Sequence, residues 1–471
     1  MSRPLVAALM LVAASYTDAV AQTRALVGAT VIDGTGAPAI DQGVIVVDGT
    51  RLMCVGTATE CPVPPGAERT DLTGRFVTPG MVDAHVHFSQ TGWLDGRPDG
   101  LAAPDLYPYR ETALALRARP ERWFRSYLCT GITAVYDVGG HPWTTALPAR
   151  AERDVAAPHV RAAGPLVTHA AVPALNVDDE IYTFLPMATS DDVRASVRRL
   201  VAMGASAVKV WYLAPPPARR QALDARLMEV GAAARDAKLD LIVHATSLRE
   251  AKLALRAGAK LLVHSVQDTL VDEEFLALLA ANDAIYAPTL VVAGNWSRAI
   301  ASVILNAPYP IDDPNGCVDS NTVAKVAATE ALRAHLPERL RSSEVAYQRL
   351  ERSGAARWVM AENLRRVHGA GRTVAAATDA GNPLTLHGPS IHQELEAMQA
   401  AGLSTSDIIV MATRNGALAM GRLDDFGTLE AGKLADLLVL TEDPRADVRA
   451  FRSLTYVMRA GRLHAQRDLA Y

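Results

Sequence analysis

Apolar and polar positions change rhythm twice along the chain. From Ala25 to Gly80, short runs rich in Val and Thr ("ALVGATVIDGTG", "GVIVVDGTRLMCVG", "TDLTGRFVTPG") are separated by Gly, Asp and Pro, the punctuation of β-strands and turns. The far end returns to that character with "GTLEAGKLADLLVL" and "RSLTYVMRAGR". Between them, apolar strand-like runs alternate with Ala-, Leu- and Arg-rich stretches of helical character, the pattern of βα units around a parallel sheet. The runs are "MVDAHVHF", "TAVYDVG", "HVRAAGP", "ASAVKVWY", "LDLIVHAT", "LLVHSV", "AIYAPTLVV" and "TVAAATDAG".

Eight such strands with intervening helices predict an α/β fold, a closed (β/α)8 TIM barrel. A small discontinuous β-sandwich domain is expected from the two chain ends, residues 22–78 and 428–471, with the barrel at 79–427 inserted between them. Residues 297–368 are too many for a simple connection and read as extra helices, a candidate lid.

The first residues follow another pattern: Arg3, the apolar run "LVAALMLVAA" from Leu5 to Ala14, then small residues at Ala19 and Ala21. A positive start, a short apolar core and an A-x-A-like site predict a secretory signal peptide over 1–21, with the mature chain starting near Gln22. The run is too short to span a hydrocarbon core of about 30 Å, and no other stretch is long and apolar enough to do so. An exported protein is expected, periplasmic or secreted, without a membrane span. Lys plus Arg is 47 against Asp plus Glu 51, spread without long like-charge runs, which gives nothing for nucleic acid or an anionic membrane to recognise. A homo-oligomer is compatible with this composition. Of the four cysteines, Cys54 and Cys61 flank a short turn-rich stretch and could pair in an oxidising compartment. None of the four has metal-finger spacing.

Barrel strands are near-continuous apolar runs, so polar residues near their C-terminal ends stand out, at the face where active sites sit. Strand one ends with His85 and His87, two positions apart and therefore on one face. Strand four carries Lys209, strand five His244, strand six His264, and strand eight ends with Asp379. Taken singly, each has a structural explanation. Together they would be costly to bury without a partner, and imidazole and carboxylate are the ligands of Zn²⁺ and related ions. An ammonium among metal ions is repelled, so Lys209 must lose its proton or be modified. Reaction with CO2 makes it a carbamate whose two oxygens can bridge two metals. Such a centre supplies hydroxide at neutral pH and clamps both the attacking and the attacked oxygen, while Asp379 is placed to move the proton to the leaving group. Tyr136, His141, Tyr212, Tyr286 and His387 lie on strand ends or loops near the expected mouth and are candidates for substrate hydrogen bonds.

These residues resemble the amidohydrolase superfamily, and within it the imidazolonepropionase-like and prolidase-like metal-dependent hydrolases. The likeness covers nearly the whole mature chain: "VTPGMVDAHVHF", "GITAVYDVGG", "VKVW", "VHA", "VHS", "ATDAG" and the closing "GTLEAGKLADLLVL". It implies that His85, His87 and Asp379 bind one metal, His244 and His264 the other, and carboxylated Lys209 bridges them. It further implies hydrolysis of an amide or peptide C–N bond in a small molecule by a metal-bridging hydroxide, with Zn²⁺ the expected ion. The chain departs from many dipeptidase-like relatives in carrying Tyr136 where they have Arg, and "WYLAPPP" after the lysine where they are Gly-rich. Their usual carboxylate recognition is therefore not implied. Two alternatives stay open: a mononuclear deaminase or cyclic amide hydrolase, although "HATS" lacks the Glu that such deaminases place after the fifth-strand His, and a non-catalytic exported binding protein.

Overall fold

The computed structural model describes residues 23–170 and 172–471, so the expected signal peptide lies outside the described residues. Seven of the eight barrel strands are regular: Met81–Val86, Ile132–Asp137, His159–Ala162, Ala207–Trp211, Asp240–His244, Ala259–Val263 and Ile285–Ala287. The eighth, at 373–380, is held by bridges instead of a ladder. Val374 bridges Tyr286 of strand seven and Ala380 bridges Val86 of strand one, both in parallel. The third strand breaks at Gly164, whose positive φ of 69° turns the chain. Its first part pairs back with strand two, and its continuation Leu166–Thr168 pairs forward with strand four. These links close the ring.

Two apolar layers hold it. Val208, Val210, Leu262 and Tyr286 pack outward under the helices, whereas Val82, Ala84, Ala134, Ile242, Leu261 and Ala377 fill the lumen. Met420 and Phe426, which follow the barrel, extend the lumen cluster. A filled lumen leaves polar groups room only at the opposite, C-terminal rim.

The small β-domain is built from both ends. Leu437–Leu440 pairs antiparallel with Phe76–Pro79, which pairs in turn with Arg24–Val31, so hydrogen bonding runs through all eight strands in one continuous sheet. The stretch 297–368 is helical apart from an irregular connection at 306–319 and short breaks between its later helices. Val292–Leu305 and Ser343–Gly369 are its long helices, and Ile300, Val303 and Ile304 share a separate core with Trp93, Leu94 and Leu101 of the loop after strand one. Cys54 and Cys61 are bonded. A second bridge, Cys129–Cys317, spans 188 residues and ties the helical stretch to helix Glu121–Cys129. Sequence spacing carried no hint of it. Among the described residues, no helix is long and apolar enough to cross a membrane.

Candidate metal centre

Strand one answers why two histidines face inward. Val82 and Ala84 pack in the lumen, Val86 and Phe88 pack under the helices, and His85 and His87 line the rim cavity. The alternation therefore changes face at His85, within the span Asp83 to Val86 where pairing with strand two shifts register. Such an irregularity re-aims side chains. Strand eight meets strand one here: the Asp379 N–H donates to the His85 carbonyl at 2.8 Å and the His87 N–H to the Ala380 carbonyl at 2.8 Å. Asp83 pins the junction, accepting from the Thr378 N–H (3.0 Å) and hydroxyl (2.6 Å) and from the His85 N–H (3.2 Å). Gly381 must be glycine, since a Cβ there would stand 2.6 Å from the His87 carbonyl and its φ is 110°.

The result is a tight trio. Asp379 Oδ1 lies 2.9 Å from His87 Nε2 and 3.3 Å from His85 Nε2, and the two Nε2 atoms are 3.2 Å apart. His87 Nδ1 sits 2.5 Å from the Gly139 carbonyl, which can only accept, so that nitrogen carries the proton. With Nδ1 committed to that carbonyl, Nε2 is the nitrogen His87 turns toward the Asp379 carboxylate. Asp379 Oδ1 and His85 Nδ1 are buried and have no hydrogen-bond partner. A cation among the three would satisfy Asp379 Oδ1 and both Nε2 atoms at once, so these residues fit a metal.

His264 continues the cluster. Its Nε2 is 4.0 Å from Asp379 Oδ2, and its ring centroid is 5.1 Å from His85 and 4.3 Å from His244. Its Nδ1 lies 2.7 Å from the Thr289 hydroxyl. Glu394 accepts the N–H groups of the next residues, Leu290 and Val291, at 2.8 and 3.1 Å, which fixes that loop. Both His264 (φ 76°) and Asp379 (φ 66°) adopt left-handed backbone, uncommon outside glycine and frequent where a site imposes its geometry. Burial, followed by the charge of Lys209, drives His244 down to about 3 and holds His85 well below the ordinary imidazole range. Burial and His244 do the same to His264. Burial thus favours the neutral form of these three rings, which leaves each a nitrogen lone pair to offer a cation. Lys209 is 1% exposed, and burial lowers its ammonium to about 7 against the pull of Asp379 and Asp137. A sizeable share of a neutral, nucleophilic amine is thus present at neutral pH.

All six expected metal-site residues line one cavity of about 250 Å³ at the rim. None of the five substrate candidates does. Tyr286 points outward, its ring against Phe275 and its hydroxyl accepting from the Val266 N–H, because its position in strand seven faces the helices. Tyr136 lines a separate cavity with Asp240, Lys260 and Arg372, away from the six. Tyr212 gives its hydroxyl to Asp224 at 2.5 Å. His387 stacks on Trp123 with centroids 4.0 Å apart and reaches the His87 carbonyl with Nε2 at 3.1 Å, so it braces the strand end. His141 stands one layer back, its Nε2 3.1 Å from the hydroxyl of Tyr109, which does line the cavity. Nearness to a strand end in sequence does not say which side of the strand a residue takes.

Sequence reasoning missed the rest of the lining. Arg97, Tyr109, Trp211 and Trp296 wall the cavity, with Gln90, Gln267 and Asn382 among its polar groups. Asn382 alone carried a local signal, three residues beyond Asp379. Asp137 was also missed. Its carboxyl is raised to about 6 by burial, and Oδ2 has no partner.

The family model described as "Amidohydrolase family" matches residues 76–463. The imidazolonepropionase of Methylobacterium nodulans is 25% identical over 91% of this chain and 93% of its own length. A 49-residue stretch is 43% identical to the imidazolonepropionase of Paracoccus denitrificans, covering 10% of this chain and 12% of that protein. Among solved structures, a Xaa-Pro dipeptidase with methionine bound in its active site superposes with a TM-score of 0.70 at 21% identity, over 94% of this chain and 100% of that one, a likeness of fold.

Proposed function

The chain belongs to the amidohydrolase family, and from that premise we propose a binuclear centre that hydrolyses an amide or peptide C–N bond of a small molecule. That the protein is a metal-dependent hydrolase of C–N bonds follows from the family match. The binuclear reading is ours. The observation that carries it is the convergence of His85, His87, Lys209, His244, His264 and Asp379 on one cavity. His85, His87 and Asp379 would hold one ion and His244 and His264 the second, with Lys209 between them as a carbamate. The ammonium first gives up a proton; the neutral amine's electron pair then forms the N–C bond to CO2 as a C=O pair moves onto oxygen, and a second N–H proton leaves, so that a misplaced cation becomes an anion that could hold both ions. Imidazole and carboxylate donors suit Zn²⁺.

When bound, such ions lower the pKa of water from 15.7 to about 7 and polarise the scissile carbonyl. The chain's own groups do the rest. Asp379, held against both histidines of strand one, accepts the proton of the attacking water at its carboxylate and returns it to the leaving nitrogen. His87 keeps its orientation through the Gly139 carbonyl and His264 through Thr289, as metal-ligating imidazoles commonly do through their second nitrogen.

A second reading, a mononuclear deaminase or cyclic amide hydrolase, draws on the trio His85, His87 and Asp379, whose ligand atoms all lie within 4.8 Å of one another. Against a deaminase, no Glu lines the cavity among the described residues. Elemental analysis separates the two. We expect two equivalents of divalent metal per chain and, after growth with ¹³C-bicarbonate, a carbamate carbon resonance that Lys209→Ala removes. One equivalent and no such signal would establish the mononuclear reading. The two disulfides support export to an oxidising compartment, and the intact mass of the same preparation reads whether the mature chain begins at Gln22.

A further inference from the structure

Resting on the hydrolase reading above, we infer that the site selects neutral amides bearing an aromatic or bulky apolar group and discriminates against a carboxylate beside the scissile bond. The walls of the cavity above the six polar groups are largely apolar. Phe184 and Trp211 stack with centroids 5.1 Å apart and planes 19° from parallel on one side, beside Leu166 and Leu175. Trp296 and Val292, on helix Val292–Leu305, belong to the same lining.

Beyond the metal centre at the base, a carboxylate beside the scissile bond would need a cation of its own, and among the described residues the walls offer none that is free. Lys209 lies at the base among the histidines. Arg97 is the one guanidinium in the lining among the described residues, and it is committed. Its Nε and Nη2 donate to the two oxygens of Asp99 at 2.9 and 2.7 Å, its Nη1 donates to Asn382 Oδ1, and its plane lies over Trp296 at 4.7 Å. A two-point fork of this kind is the strong form of the Arg–carboxylate pair. An incoming carboxylate would have to displace Asp99 and would meet its charge in doing so.

Arg97 instead serves the wall. It covers one side of Trp296, the indole Nε1–H donates to Asn382 Oδ1 at 3.1 Å, and the ring packs so closely on Gly100 that a Cβ there would stand 2.6 Å from Cζ3. An aromatic surface fixed in advance binds a flat apolar group without first having to be ordered.

The test compares N-benzoyl-phenylalanine with its neutral N-methylamide on the metal-loaded protein, reading benzoate release. The N-methylamide is expected to show a kcat/KM at least tenfold higher. Trp296→Ala should lower that value about tenfold through KM, and Trp296→Phe, which keeps a ring, should retain most of it. Asp99→Asn frees the guanidinium and should raise kcat/KM for the free acid at least tenfold. Calorimetric titration of the Asp379→Asn protein with both compounds reads affinity without turnover and should favour the neutral one at least tenfold. Equal or better binding and hydrolysis of the free acid, or an Asp99→Asn protein with unchanged preference, overturns the inference. Retained binding preference with no hydrolysis of either compound would leave the selectivity standing and exclude the benzoyl amide as the bond cleaved.

Discussion

Two buried knots of titratable side chains invite comparison, one at the barrel rim and one at the seam with the β-domain. At the seam, both ring nitrogens of His159 meet carboxylates, Nδ1 to Glu152 at 2.7 Å and Nε2 to Asp436 at 3.0 Å. Arg459 completes the set with Nη2 2.7 Å from Glu152. Burial opposes a charge on His159, yet the two carboxylates raise its pKa above the ordinary value. At the rim, four imidazoles and an amine share the single carboxylate of Asp379, and burial lowers the pKa of His85, His244, His264 and Lys209. At the seam two carboxylates face an imidazole and a guanidinium, so opposite charges are matched in number, although His159 Nε2, Asp436 Oδ2 and Arg459 Nε make no aligned hydrogen bond. The rim is an excess of lone pairs around a space, which is how a ligand site differs from a structural ion-pair network of the same residue types.

Substitutions should separate the two most sharply where each removes a carboxylate. Asp379→Asn takes away a metal ligand and the proton carrier, and we expect kcat to fall about 10³-fold or more while the melting temperature of the metal-free protein holds or rises. Activity within tenfold of the parent would remove Asp379 from the chemistry. Asp436→Ala does the reverse. It leaves His159, 1% exposed, without its inner partner and frees the Ala460 N–H that Asp436 accepts at 2.6 Å. Breaking a buried pair from one side costs about 3 kcal/mol, to be read by urea denaturation, with kcat little changed. A loss below about 1 kcal/mol would mean that the seam is not the self-neutralised network its distances suggest.

The same contrast explains which residues are legible in one dimension. Polar residues inside apolar strands stand out in the bare chain, and the (β/α)8 order places them at one rim, so His85, His87, Lys209, His244, His264 and Asp379 can be grouped from the amino-acid order alone. The seam cannot, because His159 opens a strand, Glu152 follows a helix and Asp436 and Arg459 lie nearly 300 residues on, joined only by the meeting of barrel and β-domain. The cavity walls are hidden for the same reason. Arg97 and Trp296 meet because Trp93 and Leu94 share a core with Ile300 and Val303, a tertiary event without local periodicity. Tyr136, Tyr212 and Tyr286 show the opposite error: strand position is legible, but side-chain direction depends on register, and strand one itself changes face at His85.

The smallest expected effect is a pH dependence confined to the seam. His159 has a folded-state pKa above the ordinary value of 6.5, so its contribution to stability is fully present below pH 6.5 and is lost as pH rises through the folded pKa. Glu152 runs the other way. Burial opposes its charge, but hydrogen bonding and charge from His159 and Arg459 bring it down to about 2, so its contribution is present above 4.5 and fades as pH falls toward 2. Between those limits the seam should be strongest in mildly acidic solution. His159→Gln removes the titrating ring and keeps a polar side chain, so the stability difference between the parent and this variant should be largest near pH 5.5 and shrink toward pH 9, as followed by urea denaturation at several pH values. Because the rim groups are common to both proteins, their titration cancels in the difference. A gap that stayed constant or widened with rising pH would show that His159 sits neutral in the folded protein, and the contrast between a charge-balanced seam and a rim rich in lone pairs would fall.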